Sequence, residues 1–335
     1  MHLEIVVPAL FEARSPAPSL ELLLARGRRS AREHASLEAW LAGAFGLGGP
    51  LPAGALTAHA SGAPSAEGHW LRADPVHLRA DGNRVLLLPG EGLELSEAEV
   101  QALLGELNRH FREQFSVTAV APERWILRAA AAMPVEIRPP LEAAGGDGGA
   151  QPAERRLRAL LAEIQMALYQ HEVNTRREAR GAPVVNSVWL WGAGPLPDGA
   201  ALQGATPWHS LSASDPAALG LAKLAGLRHR APGEGAEAWL ERAPEEGRHL
   251  VLLDALRAGA ALGDAEALAQ RLQSLEERWF APLLAALRAG RIGMLTVHAP
   301  EAGAAFEIVR GDLRHFWRRP RPLASYGAAR PEAQP

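Results

Sequence analysis

The 335-residue chain contains no cysteine, which excludes disulfides, thiolate metal sites and cysteine nucleophiles. Lysine is almost absent as well. Lys223 stands alone among 35 basic residues, so nearly every positive charge is a guanidinium, the group that grips phosphate and carboxylate bidentately. A codon bias toward arginine and alanine accounts for the same composition. There is no excess of positive charge: the formal net charge is −3, which argues against nucleic acid as a partner. No apolar run approaches the ~20 residues of a membrane span. The opening Met-His-Leu-Glu lacks the charged and apolar regions of a signal peptide. The expectation is a cytoplasmic protein with no membrane partner.

What is present describes an ordinary globular chain, 47% hydrophobic and 22% charged, long enough for two domains. Leu3 to Pro8 reads as a first central strand. Ser19 is placed to cap a helix from Leu20 to Arg26, and Ser36 another from Leu37 to Ala44. Gly46 to Ala66 reads as an irregular connection. His69 to Leu78 and Arg84 to Leu88 form a hairpin through Asp81-Gly82-Asn83. Ser96 with Glu99 makes a capping box for a helix reaching Phe111, and Trp125 to Ala130 is a further strand. Leu141 to Pro152, with its glycines, reads as a linker.

Beyond that linker, strands and helices alternate as in a parallel α/β sheet. Strands are expected at Val184 to Trp191, Leu250 to Leu253 and Met294 to Val297, and helices at Leu157 to Tyr169, Ala217 to Leu224 and Ala265 to Leu287. Phe306 to Trp317 reads as a hairpin around Gly311-Asp312. The division is therefore an α/β core of residues 1–66 and 150–320, an α+β insert at 67–140, the linker at 141–152, and a disordered tail at 321–335.

The densest chemistry lies in His171 to Gly194, with two Asn, three Arg, two Trp and three Gly. The chain turns through Asn174 and Gly181-Ala-Pro183. A strand ending in Gly-x-Gly presents its neighbours at the carboxyl edge of a sheet, where open α/β folds place ligands. Trp189 and Trp191 flank Leu190 and share one side of the strand, a pattern that core packing also explains. A second cluster, His69, Asp74, His77 and Asp81, offers metal-binding residue types, but Asp74 has the opposite parity to the others along the strand. Arg318-Arg319-Pro-Arg321 is a small basic patch that reads as solvated chain.

His171-x-Val-Asn174, Arg177, Arg180-Gly181, Asn186 and Trp189-x-Trp-Gly-x-Gly194 resemble the cofactor-independent, archaeal-type phosphoglycerate mutases of the alkaline phosphatase superfamily. More narrowly, the chain resembles bacterial RpfE-type regulatory proteins. The resemblance implies an alkaline-phosphatase-like α/β core with a mostly parallel sheet and an inserted cap. It also implies that Arg72, His171, Asn174, Arg177, Arg180, Asn186 and Trp191 face a phosphorylated or carboxylate small molecule through charge-assisted hydrogen bonds. Tying down turns and forming surface ion pairs would retain the same residue types.

The pattern departs where the family's metals belong. The first strand ends Val7-Pro8-Ala9 rather than Asp-Gly. Ala258 stands where a His is wanted four residues after Asp254, and Thr296-Val297-His298-Ala299 replaces an Asp-His pair. A two-metal site needs about six or seven Asp and His ligands. Asp254, His298 and His315 amount at most to a three-ligand remnant for one zinc or manganese ion. Ser15 and Ser19 lie where the family's nucleophile belongs, without a neighbouring acid or base, and no catalytic residue is assigned. The expectation is a catalytically inactive relative that binds a ligand or a protein partner. The alternative is an active metal-dependent phosphomutase or phosphatase with a reduced site.

Overall fold

The structure is a computed structural model that describes residues 1–31, 36–64, 68–82, 84–133, 135, 138–144, 154–244 and 246–327. The chain divides into two compact units: Met1–Gly49 with Asp198–Pro335, and Pro50–Pro197. Residues 50–64 and 154–197, expected in the α/β core, belong to the second unit.

The strands, in chain order, are β1 His2–Val6, β2 Arg28–Ala31, β3 His69–Asp81, β4 Arg84–Pro89, β5 Phe115–Ala121, β6 Arg124–Ala129, β7 Ser187–Trp191, β8 Ser210–Ser212, β9 Arg228–Arg230, β10 Arg248–Leu252, β11 Met294–Ala299 and β12 Ala304–Val309. The first unit is built on a seven-stranded sheet in the order β2-β12-β11-β1-β10-β8-β9. Strands β11, β1, β10, β8 and β9 run parallel, while β12 is antiparallel to both neighbours. This is the mixed α/β architecture with a mostly parallel sheet that the alternation of elements implied.

Strand β1 is central, with Glu4 opposite Leu250 on one side and Thr296 on the other. Its alternation sorts the sheet faces. Leu3, Ile5 and Val7 join Val251, Leu295 and Val297 in the main core, which includes residues of the helices Pro18–Arg26, Ala236–Arg242, Ala265–Leu275 and Ala281–Ala289. Glu4 points the other way, and so do Thr296 and His298. That face receives Trp40 from the helix Leu37–Ala44, and Trp208.

Several local expectations change. Ser36 does cap its helix, accepting from the Ala39 N–H. Ser19 does not: Pro18 opens the helix, and Glu276 accepts the backbone N–H groups of Ser19 and Leu20 at 2.7 and 3.1 Å. A carboxylate distant in sequence thus does the work assigned to a local hydroxyl. The segment Ala265 to Leu287 is interrupted by a π-helical turn at Glu276–Phe280, which begins at that carboxylate-bearing residue. Phe306 to Trp317 is not a hairpin, because β12 ends at Val309 and Arg310–Arg314 forms a 3-10 helix. Part of the expected disordered tail is ordered: Leu323–Tyr326 is a 3-10 helix with Leu323 and Tyr326 buried in the core.

The second unit is built on an antiparallel sheet in the order β4-β3-β6-β5, with β7 also on β3. The long β3 is shared along its length: His69–Arg72 pair with β6, Arg72–Val76 with β7, and Val76–Asp81 with β4. The hairpin and the Ser96/Glu99 capping box form as expected, although Asn83 lies outside the described residues, as do residues 145–152 of the expected linker, whose first residues instead belong to the helix Pro140–Ala144. Two corrections matter for function. Ala53–Ala60 is a helix inside the stretch read as irregular. More importantly, β7 is antiparallel to β3 and is not a strand of the parallel sheet. A short, fully buried apolar run looks the same in either setting.

Candidate functional site

The seven residues expected to hold an anion all fall in the second unit, where each is engaged by protein groups. Arg177 is 1% exposed. It donates from Nε to the Pro183 carbonyl at 2.6 Å, from one terminal nitrogen to both oxygens of Glu99 at 3.0 and 3.1 Å, and from the other to the Leu93 carbonyl. Arg180, with a half-exposed side chain, adds a bond to Glu99 at 2.7 Å. Burial alone would raise the Glu99 carboxyl, but hydrogen bonds from the Ser96 backbone and hydroxyl and from Arg177 hold it at about 2. Sequence reasoning recognised Glu99 only as a capping residue. Its second role, as the counter-ion of two arginines some 80 positions on, has no local signal.

Asn174 is not in a turn but in the helix Glu172–Ala179. Its Nδ2 donates to the carbonyls of Leu168 and Val185, both at 2.8 Å, and its Oδ1 accepts the Val185 N–H at 2.9 Å. Asn186 brackets Leu78 in the same manner, accepting its N–H and donating to its carbonyl at 2.8 Å each. The side-chain amide thereby mimics a strand partner beside β3. His171 caps the same short helix, its Nδ1 accepting the Val173 N–H.

Arg72 and Trp191 meet elsewhere in this unit, around Asp74. Arg72 donates twice to Asp74 Oδ1, at 3.1 and 2.7 Å, with its guanidinium 5.1 Å from the Trp191 ring centre. Asp74 also accepts from the Trp125 backbone at 3.0 Å and from the Trp191 indole at 2.7 Å. Asp74 is therefore a buried hub, not a metal ligand. Its supposed partner His77 instead contacts the Val184 carbonyl at 3.0 Å. Trp189 and Trp191 are both buried, and the Trp189 indole donates to the Arg138 carbonyl.

The first unit carries a different chemistry at the carboxyl ends of its parallel strands, the edge where such sheets place ligands. Past β1, Ala9 takes a left-handed φ of 57° and donates its N–H to Glu301 Oε2 at 3.0 Å. Past β10, Arg257 pairs with Glu38 at 2.8 Å, both side chains largely buried. Burial would lower the Arg257 pKa, but Glu38 first, then Asp215 and Glu301, drive it above its ordinary value. The protein packed around Glu301 raises its carboxyl pKa, a shift that Ala9 and Arg257 oppose. Glu38 Oε2 is buried with no hydrogen-bond partner among the described residues.

Beneath this edge lies a second polar group that sequence reasoning missed. Glu4, 4% exposed, accepts from His298 Nε2 at 2.9 Å, from the Trp208 indole at 3.0 Å and from Arg248 at 2.7 Å. Burial would raise its carboxyl, but these bonds hold it at about 2. The His298 ring lies 5.1 Å from that of Trp40, and its Nδ1 has no hydrogen-bond partner among the described residues. The only signal was a carboxylate inside an apolar strand, and such a buried charge requires partners.

Asp254, His298 and His315 do not assemble. His298 is bound to Glu4, while His315 lies 3.7 Å from Asp312 and stacks near Trp317. Among the described residues no three His, Asp or Glu side chains are gathered to hold a metal ion. These three candidates are thus not gathered into a cation site among the described residues.

No family model matches the chain, and no curated protein matches it. Solved structures do. The PH0037 protein from Pyrococcus horikoshii is 13% identical, with 92% of this chain and 87% of that one covered and a TM-score of 0.52. The cofactor-independent phosphoglycerate mutase from Thermoplasma acidophilum DSM 1728 is 16% identical, with 97% and 94% covered and a TM-score of 0.40. The first likeness is one of fold alone, and the second is too loose to support more than its mention.

Proposed function

We propose that this chain is a phosphoglycerate mutase-like protein without mutase or phosphatase activity, acting by binding a ligand or protein partner. The observation that carries the reading is Arg257. A phosphoryl-transfer centre on this fold needs cations held by several carboxylates and imidazoles at the carboxyl strand ends. Here β1 runs on into Val7-Pro8-Ala9 and β11 ends in His298-Ala299, with Asp254 past β10, and a guanidinium from the chain itself supplies the positive charge among Glu38, Asp215 and Glu301. An internal cation neutralises the local carboxylates, yet it has no open coordination position and cannot activate a water as a metal does. The anion-binding role proposed for the second unit narrows to Arg180, whose guanidinium is half exposed. Arg177 and Asn174 have committed their donors to the fold.

The test is turnover of 2- and 3-phosphoglycerate and of p-nitrophenyl phosphate with Mn²⁺, Mg²⁺ or Zn²⁺ supplied. The expected result is a rate equal to the protein-free blank. Metal-dependent turnover that Asp254→Ala and His298→Ala each abolish would overturn the proposal in favour of a reduced metal site. The specific feature behind that second reading is the His298 ring, held by Glu4 with its other nitrogen unbound among the described residues, which is how ligating histidines are commonly oriented.

A further inference from the structure

The segment Leu313 to Pro322 reads Leu-Arg-His-Phe-Trp-Arg-Arg-Pro-Arg-Pro and contains four arginines and no acid, in a chain whose net charge is −3. Phe316 and Trp317 are 77% and 63% exposed, the former among the most exposed large apolar side chains in the protein. Arg314, Arg318, Arg319 and Arg321 around them are exposed as well. Exposed single hydrophobics are ordinary, but two adjacent aromatics ringed by like charges are not.

The backbone bearing them is fixed. The His315 N–H donates to Asp312, Phe316 to Arg314 and Arg318 to His315, at 3.0, 2.8 and 2.9 Å. The Arg318 guanidinium donates to the Arg26 carbonyl at 3.1 Å. Downstream, the Arg321 N–H donates to the Tyr326 hydroxyl at 3.0 Å and the Leu323 N–H to Glu21 at 3.1 Å. Leu323 and Tyr326 anchor that end in the core. The aromatic rings are thus held out from an ordered loop, with Phe316 and Trp317 edge to face at 5.3 Å.

We propose that this loop docks on an anionic lipid surface, with Phe316 and Trp317 entering the headgroup region and the arginines contacting lipid phosphates. Charge complementarity supports this occupant: the segment carries four exposed arginines and no acid of its own, with Asp312 directly before it beside His315. Indole and phenyl rings favour the membrane interface, and arginines beside them add attraction to anionic headgroups. The size of the patch points the same way. A specific protein interface takes about 20–30 residues on each side, far more than this loop offers, whereas membrane contact needs only a local insertion with a basic rim. The absence of a spanning segment from the sequence does not bear on such reversible contact.

The experiment is co-sedimentation of the full chain with vesicles of phosphatidylcholine alone and of phosphatidylcholine with about a third phosphatidylglycerol. Binding to the anionic vesicles is expected to exceed binding to the neutral ones by about tenfold at low salt and to fall as ionic strength rises. The double variants Phe316→Ala/Trp317→Ala and Arg314→Glu/Arg319→Glu should each lose roughly tenfold in partitioning, with unchanged melting temperature. The proposal is overturned if the wild-type chain ignores anionic vesicles, or if the variants sediment as it does. It is also overturned if a fluorescent single-stranded oligonucleotide or an acidic polypeptide is bound through the same residues while vesicles are not.

Discussion

Arg177 and Glu99 form a two-oxygen ion pair across 78 residues of chain, at 3.0 and 3.1 Å, with the guanidinium 1% exposed. The pair ties the helix Glu97–His110 to the helix Glu172–Ala179. Because Arg177 also serves two backbone carbonyls, its removal leaves Glu99, Pro183 and Leu93 all short of a donor. Arg177→Ala is expected to cost about 3–5 kcal/mol, the range for breaking a buried pair from one side. Urea unfolding followed through the second unit measures it. A variant of wild-type stability would show that the pair contributes nothing.

Acid should weaken the fold through two carboxylates. Glu4 and Glu99 are held at about 2 against an ordinary 4.5. A depressed carboxyl stabilises the folded state fully above its unfolded pKa, and the contribution drains away as pH falls toward the folded value. Stability is therefore expected to decline between about pH 4.5 and 2. Glu91 and Glu301, whose carboxyls are raised, act in the opposite sense, since protonation relieves them. Denaturant midpoints taken down this range should fall more steeply for the wild-type chain than for Glu99→Gln. Parallel profiles would refute the assignment.

Much of the architecture could be read from periodicity, because β1, β10 and β11 are apolar runs separated by amphipathic helices. What misled was β7. Its apolar run predicts a core strand, and it is one, but neither the sheet nor the direction is written in four apolar residues behind a serine. The ligand candidates carry a related ambiguity. Asn174, Asn186 and Arg177 are residue types that recognise anions, and the same donors serve equally well to satisfy the protein's own carbonyls. Their partners Leu168, Leu78, Pro183 and Leu93 are backbone groups with no sequence signature. The Glu4 network was missed because its members are scattered from position 4 to position 298.

Within that network, Glu4 is the shared acceptor of three donors, so its replacement should be felt at each. Glu4→Ala is expected to destabilise the first unit by about 3 kcal/mol or more, leaving Arg248 and two buried donors unpaired. His298→Phe removes one donor while keeping a ring against Trp40, and should cost less. Thermal unfolding of both variants decides the order. Equal losses, or a larger loss for His298→Phe, would mean that ring packing rather than the carboxylate holds the site.

Ala9 offers the reverse expectation, a gain. Its φ of 57° lies where a Cβ is strained, by roughly 1–2 kcal/mol for L-residues, and the Glu301 carboxylate holds its N–H. Ala9→Gly removes the clash, while the unfolded chain gains freedom worth about 0.4–1 kcal/mol, so a net stabilisation of about 0.5 kcal/mol is expected. Glu301→Gln keeps the acceptor oxygen, whereas Glu301→Ala does not, so only the latter should let the turn relax and cancel the gain from Ala9→Gly. A double-mutant cycle on positions 9 and 301 reads this coupling directly. If the two changes add without interaction, the Glu301 carboxylate is not what keeps the end of β1 in its left-handed turn.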